Sequence, residues 1–325
     1  MDARARIILH KLRFVWIGLL VVALLALVAF IALNLSFNQS AGAFDKVKAP
    51  YQLEIPISSR DFDRLAIDAA GAKLELGMTS AIKKPTAYLY GESYTDEKVT
   101  ADIKDGRVQV TCQSKEEGRT AKPLTLRILL PETDLRQVRI SANQGGMTID
   151  HLRTDDLAIQ KGAGDIALKN INANSAKVES TDGPMRVEDN RISQFSLASD
   201  QGDLVLRNNK VQQLTVDNQT GDVFLYTPNF KGITDIQTFS GHITAISKRL
   251  PWSLLVEATA DSQGDVQVNY AKRYWKKPDI SEKSKQAWKG AVGDNPRNIL
   301  RLKTEDGHIT LDQRSRYTDT QSDRL

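Results

Sequence analysis

Four aspartates, Asp165, Asp203, Asp222 and Asp265, each stand directly behind a glycine, and two histidines, His242 and His308, take the same offset behind other glycines. Carboxylates and imidazoles recurring at one offset are metal-ligating residue types, and carboxylates stacked one repeat apart could hold a calcium ion. The pattern is thinner than calcium-binding solenoids use, with one acid per repeat and with Gly146 and Pro184 interrupting the column. Asp behind Gly is also ordinary turn chemistry. The column therefore reads as structural turns with no metal, and Asp203 with Asp222 is the calcium alternative. His10 and His151 add no metal-ligand spacing, and no Gly-x-Ser-x-Gly, His-Glu-x-x-His or phosphate-binding glycine loop occurs. Ser80 and Lys83 have Ser-x-x-Lys spacing, a pair that chance alone supplies in a chain of this length.

A second group suits binding. Between about 270 and 298 the chain carries Lys272, Arg273, Tyr274, Trp275, Lys276 and Lys277, then Lys283, Lys285, Trp288 and Lys289. Cations interleaved with Tyr and Trp fit an anionic polymer or a layer of lipid headgroups, through charge and through stacking or interfacial insertion. Lys272, Arg273, Tyr274, Trp275, Lys276, Lys277 and Trp288 are the candidate ligand-binding residues. The alternative is a solvated excursion whose tryptophans cap the core.

The elements that must position these residues come from a repeat. Gly145, Gly164, Gly183, Gly202, Gly221 and Gly241 stand 19 residues apart, with one step of 20. Each opens the same phrase: a glycine, a turn residue, then two apolar residues two apart, as in Gly164-Asp165-Ile166-Ala167-Leu168. A second alternating run follows about twelve residues after the glycine, as in Ala176 and Val178 or Leu214 and Val216. Period two puts these side chains on one face of a strand, and runs this short do not make a helix. Asn-rich turns such as Arg207-Asn208-Asn209 separate the runs. A period near 20 with these features predicts an all-β fold, a parallel β-solenoid in which each coil lies on the next and matching residues stack as ladders. Ser180, Ser199 and Asn218 would form a polar ladder. The phrase returns at Gly264 and Gly307, which complete the set of structural turn glycines, and looser alternation reaches back to Leu65.

Residues 14–33 carry no charge and are long enough to cross a bilayer as a helix. Arg4, Arg6, Lys11 and Arg13 precede them against Asp2 alone, so the N-terminus is expected in the cytoplasm and the β domain outside. A cleaved signal peptide ending near Ala41-Gly42-Ala43 is the rival, against which the apolar core is too long. The predicted organisation is a cytoplasmic stub (1–13), a transmembrane helix (14–35), a stalk (36–50), a repeat domain (51–312) with an insert at about 270–298, and a polar tail (313–325). The formal charge is +4, and the stub accounts for +3 of it. The near-neutral remainder leaves no electrostatic footprint for nucleic acid. Cys112, the single cysteine, allows no internal disulfide and continues the face of Val108 and Val110.

Four stretches carry a resemblance. They are Phe62–Ile67, Leu124–Pro131 with its Leu-Pro ending, Val138–Ile149 with its Ser/Asn-rich turn and Gly-Gly-Met, and Thr304–Leu311. In this order they resemble a bacterial family known as putative adhesins, a domain of unknown function with β-strand repeats found in membrane-anchored proteins near envelope-stress systems. The resemblance spans residues 51 to 312. It implies a β-repeat domain outside the membrane and supplies no catalytic residue and no cofactor. The basic, Trp-containing insert departs from the family pattern.

The expectation is a single-pass protein of a bacterial cell membrane, held in the lipid bilayer through residues 14–35 and displaying a non-enzymatic, adhesin-like scaffold. Its expected partners are an anionic envelope polymer, lipid headgroups or another surface protein. A self-assembling structural solenoid is the first alternative. A carbohydrate-active β-helix enzyme is the weaker one, since it needs acids and a base clustered on one exposed face of three adjacent coils.

Overall fold

The computed structural model describes residues 51–56, 63–70, 72–91, 98–104, 107–113, 124–226, 231–247, 249–261, 264–270, 275–279 and 286–313. The stub, the predicted transmembrane helix, the stalk and the tail from residue 314 lie outside them. Among the described residues every regular element is a strand, and no helix is long and apolar enough to cross a membrane. The fold is all-β, as the repeat predicts.

One coil is seen whole in Ile166–Asp182. Its inward residues are Ile166, Leu168, Ile171, Ala173, Ala176, Val178 and Ser180, all buried. Strict alternation slips twice. At Asn170 the backbone is left-handed (φ 53°), and His151, Asp189 and Asn208 repeat that conformation at φ 55°, 56° and 54°. Asn and Asp adopt it at little cost. At Asn174 and Ser175 two successive residues face outward, which bends the chain again. Together with the glycine turn, the two bends divide a coil into three straight stretches. The third side must be long because it restores the path to the next coil, which explains the second run seen in the sequence.

Neighbouring coils pair in parallel at the repeat spacing. Ile166 lies between Met147 and Met185, and Val178 between Ile159 and Leu197. Apolar ladders therefore run through one continuous core. The predicted polar ladder is present and buried: Lys161, Ser180, Ser199, Asn218, Thr238 and Thr304. Most of its members bond to turn carbonyls, as Asn218 Nδ2 does to the Gly221 oxygen at 2.8 Å. At the opposite corner Asn190 accepts from the Ile171 N–H at 2.7 Å and donates to the Leu168 carbonyl and to Asn209 Oδ1. An amide thus pairs the backbone groups that the left-handed corner leaves exposed.

The coils do not stack in chain order at either end, and here the expectation that each coil lies on the next is corrected. Ile233–Ser240 and Ile243–Ile246 pair with the last coil of the chain, Asn298–Asp306 and Ile309–Asp312. Leu254–Ala260 and Val266–Asn269 lie on the far side of that coil. The glycine column records the same order. A Cβ at Gly307 would meet the Gly241 carbonyl at 2.0 Å, and one at Gly264 the Gly307 carbonyl at 1.9 Å. The beginning mirrors this arrangement: Arg64–Ala70 lies between Leu135–Ala142 and Arg107–Gln113, and Ala72–Thr79 between Met147–Ala163 and Leu124–Pro131.

The reason is that a parallel edge invites pairing with another chain unless something covers it. Only a coil with chain on both sides can be followed by a strand that doubles back on it. The outermost coils are therefore internal in sequence, and the chain's first and last coils fill the slots behind them. In the stacks formed by the first and third stretches, antiparallel strands close three of the four ends: Lys98–Lys104 on Arg107–Gln113, Thr86–Gly91 on Leu124–Pro131 with Tyr51–Pro56 beyond it, and Ala287–Val292 on Leu254–Ala260. The fourth of these ends, Val266–Asn269, is a parallel strand with no antiparallel cover among the described residues.

Candidate functional site

The column behind the glycines forms a ladder that uses its own polar atoms. Asp203 Oδ1 accepts the Asp222 N–H at 2.8 Å, and Asp222 Oδ1 accepts the His242 N–H at 2.7 Å. His242 Nδ1 accepts the His308 N–H at 3.0 Å, and His308 Nδ1 faces both the N–H and the carboxylate of Asp265. The two imidazoles stack with centroids 5.1 Å apart. Each side chain thus satisfies the backbone of the next coil, in the swapped order. Among the described residues no group of three or more His, Cys, Asp or Glu is arranged to hold a metal ion.

The swapped order also assembles a charged face that the sequence does not show. On the outer side of the long stretch, Asp235, Arg301, Glu257 and Lys289 stand in register across four strands. Glu257 pairs with Lys289 at 2.7 Å and with Arg301 at 3.1 Å, and Arg301 reaches Asp235 at 3.7 Å. Lys303 meets Asp261 at 3.6 Å. These residues and Trp288 line a surface groove of about 530 Å³. This is the kind of acid-and-base cluster on adjacent coils that a carbohydrate-active enzyme would need, and Glu257, its best-paired carboxyl, is not set up as the proton donor. Such an enzyme needs one carboxyl held protonated by a raised pKa. The Lys289 ammonium, helped by Arg301 and only partly opposed by burial, holds Glu257 below its ordinary range. What the face presents is a cross-strand ion ladder.

Of the residues singled out in the insert, Lys272, Arg273 and Tyr274 lie outside the described residues. Lys276 and Lys277 belong to the strand Lys276–Asp279, which pairs irregularly with Ala287–Val292. Trp275 and Trp288 meet edge to face at 4.4 Å, and Tyr270 stands edge-on to Trp275 at 6.2 Å. All three side chains are buried. The Tyr270 hydroxyl donates to the Ser247 carbonyl at 2.9 Å, and burial pushes its phenol pKa above the usual range. A Cβ at Gly290 would lie 2.3 Å from the Trp288 ring, so the glycine leaves room for the indole over its own strand. The aromatic part of the insert thus packs over the outermost coil.

One neighbouring residue was missed at the sequence level. Trp252 is 90% exposed, in the segment Ser247-Lys248-Arg249-Leu250-Pro251-Trp252-Ser253. That segment is a corner. In the central coils the same corner turns in one or two residues, at His151, Asn170, Asp189-Asn190 and Asn208-Asn209. Beyond Ile246 more chain separates successive strands, between Ile246 and Leu254 and again after Asn269, and basic residues fall in both stretches. The wider corner is firmly tied. Ser253 Oγ donates to the Asn295 carbonyl at 2.7 Å, and Asn298 donates to the Ser253 carbonyl through both its N–H and its Nδ2. The signal was in the spacing, because Gly241 to Gly264 is 23 residues rather than 19.

The family model described as Toastrack DUF4097 matches residues 62–312, and the chain belongs to that family. No curated protein matches it. Three solved structures are similar to it. One named a putative lipid binding protein, from Parabacteroides distasonis, is 13% identical, covering 81% of this chain and 96% of that one, with a TM-score of 0.49. One named a putative adhesin, from Bacteroides fragilis, is 14% identical over 82% and 98%, with a TM-score of 0.43. Another putative adhesin, from Parabacteroides distasonis, is 11% identical over 81% and 97%, with a TM-score of 0.41.

Proposed function

We propose that this member of the Toastrack DUF4097 family is a non-enzymatic display module of a bacterial envelope. Residues 14–35 hold it in the membrane with the N-terminus in the cytoplasm. The β-coils outside offer their widened corners and the insert to an anionic envelope component, either a wall polymer or lipid headgroups. Lys272, Arg273, Lys276 and Lys277 supply the charge, and Trp275 and Trp288 fix the base of the insert to the core. The observation that carries this reading is where the chain leaves the repeat beside the outermost coil: the step from Gly241 to Gly264 gains four residues and the insert opens after Tyr270, with basic residues in both stretches. Loops set on a rigid scaffold are where binding residues concentrate.

The test is binding of the full chain, held in phosphatidylcholine nanodiscs, to purified anionic wall polymers and to phosphatidylglycerol vesicles across a salt series. The comparison is the variant with Lys272, Arg273, Lys276 and Lys277 changed to Ser. Salt-sensitive binding that the variant weakens supports the reading. Full binding by the variant moves the site off the insert, and the absence of binding to any of these anions removes the envelope role.

One observation favours the alternative of self-assembly. Val266–Asn269 is the parallel strand that closes a sheet without an antiparallel cover among the described residues, and such an edge can template a second chain. Sedimentation that depends on concentration, weakened by Gln267→Lys, which puts a charge on the exposed face of that edge, would support it. A strict monomer at high concentration would dismiss it.

A further inference from the structure

We infer that Trp252 and the strip beside it form an interfacial contact for an anionic lipid surface, a second site separate from the insert. The inference rests on the envelope-binding reading above and narrows it to one partner.

Three observations carry it. The first is the ring itself. An indole that is 90% exposed has no walls around it, so it offers no pocket for a ligand of fixed shape. Its loop is nevertheless rigid, pinned through Ser253 to the 295–298 turn. A Cβ at Gly293 would lie 2.1 Å from the Trp252 carbonyl oxygen, so the two turns touch at their backbones. A tryptophan held out on a stiff loop is suited to enter a soft interface, where its apolar body and its N–H are both accommodated.

The second is an apolar row that adjoins the loop. Ile233, Ile299, Leu255 and Ala291 stand in register across four strands. Their chain neighbours Thr234, Leu300, Val256 and Val292 are buried, so this row faces outward, and Ile233 is 39% exposed. Leu255 follows Trp252 by three residues, so the row begins where the loop rejoins the strand. Along the same strands the next outward row is the ion ladder of Asp235, Arg301, Glu257 and Lys289, which limits the apolar surface to the corner.

The third is charge. Lys231, Arg249 and Arg297 are exposed around this surface. Gly232, next to Lys231, donates its N–H to Asn298 Oδ1 at 2.8 Å, and the Arg297 N–H donates to Ser253 Oγ at 2.6 Å. Against these three cations stand Asp294, in the 293–298 turn, and Asp312, whose carbonyl accepts the Ser247 N–H at 3.2 Å, which leaves cations in excess. An exposed indole with an aliphatic strip and a cationic rim is the composition of surfaces that lie in an anionic headgroup layer.

The experiment uses the full chain in phosphatidylcholine nanodiscs, mixed with vesicles of phosphatidylcholine alone or with phosphatidylglycerol at three parts in ten, and read by co-flotation. Binding to the anionic vesicles alone is expected. Trp252→Ser should weaken it at least about tenfold, and Arg249→Ser with Arg297→Ser about 25-fold, at roughly fivefold per charge. All three positions are exposed, so an unchanged melting temperature separates loss of contact from loss of fold. If Trp252→Ser floats as wild type does while the insert variant does not, the Trp252 site is overturned and the insert reading stands. If the wild type binds wall polymer but no vesicle, the lipid assignment is overturned while the envelope role survives. Binding to neither ends both.

Discussion

Gln237, Lys303 and Thr259 lie side by side on the outer face in the order Gln237–Lys303–Thr259, although the chain visits Thr259 before Lys303. Adjacent parallel strands are about 4.8 Å apart, within the roughly 4.4–6.8 Å that a disulfide spans between Cα atoms. Strands two apart are near 10 Å and beyond that reach. With Cys112→Ser as background, Gln237→Cys with Lys303→Cys should oxidise, and so should Thr259→Cys with Lys303→Cys. Gln237→Cys with Thr259→Cys should not. The first pair closes a loop of about 66 residues, for which loss of chain entropy sets a ceiling of about 4 kcal/mol. Losing the half-exposed Lys303 ion pair costs about 1 kcal/mol at most, so the crosslink should dominate. For a domain of this size the ceiling corresponds to a rise in Tm of roughly 8–16 °C. The assay is mobility and peptide mass under non-reducing conditions, followed by thermal melts with and without reductant. A crosslink between positions 237 and 259, with none between 237 and 303, would mean that these coils stack in chain order and would refute the account of this end.

Four further outcomes follow from the central coils and the ion ladder. Gly202→Ala, at φ 128° with a Cβ 2.3 Å from the Gly183 carbonyl oxygen, should lose about 2–4 kcal/mol in urea unfolding, and a loss under about 1 kcal/mol would contradict the column's tightness. Burial lowers the pKa of Lys161 below its ordinary 10.5, so the unfolded chain binds that proton more firmly and stability should rise as pH climbs through the folded value towards 10.5. Lys161→Met should be more stable at pH 7 by about 1 kcal/mol and should lack that rise, and a less stable variant would show the ammonium to be needed where it is. Glu257, held below its ordinary 4.5, stabilises fully above that value, and the contribution fades as pH falls through the folded value. Glu257→Gln should therefore cost about 0.5–1 kcal/mol at pH 7 and nothing at pH 2. Chelator or calcium should leave Tm unchanged, and a calcium-dependent rise of several degrees would restore Asp203 and Asp222 as an ion site.

The middle of the fold was legible because stacking repeats itself in the sequence. Ile166 and Leu168 must alternate to reach the core, Gly164 must be glycine where coils meet, and Asn170 must turn left-handed, so each coil writes the same letters. The order of coils at the ends was not legible. Asn298–Asp306 carries the same alternation as Leu254–Ala260, and nothing in the alternation says which of them lies against Ile233–Ser240. The ion ladder was hidden for the same reason, because Asp235, Glu257 and Arg301 are far apart in the chain and become neighbours only once the last coil has entered its slot. Trp252 was fainter in the sequence because its corner departs from the repeat by only four residues, between Gly241 and Gly264, beside the far larger break of the insert.

The same stacking explains where binding residues can be. In the central coils a side chain that leaves the column disturbs its neighbour, since residues such as Asn190 and Asp203 bond to the backbone of the adjacent coil. Those positions are bound to the repeat and have little freedom to acquire a ligand. Freedom returns where the chain leaves the repeat, and the swapped ends require it to leave, because the outermost coil must be followed by a strand that doubles back over it. The excursion from Tyr270 to Arg297 therefore meets a structural need first. It carries the chain from the outermost coil, through the covering strand Ala287–Val292, back to the slot that the last coil fills. Its tryptophans serve that need by packing over the coil. The residues left free are those at the widened corners, which neither stack nor cover, and it is there that Trp252, Arg249 and Arg297 stand exposed.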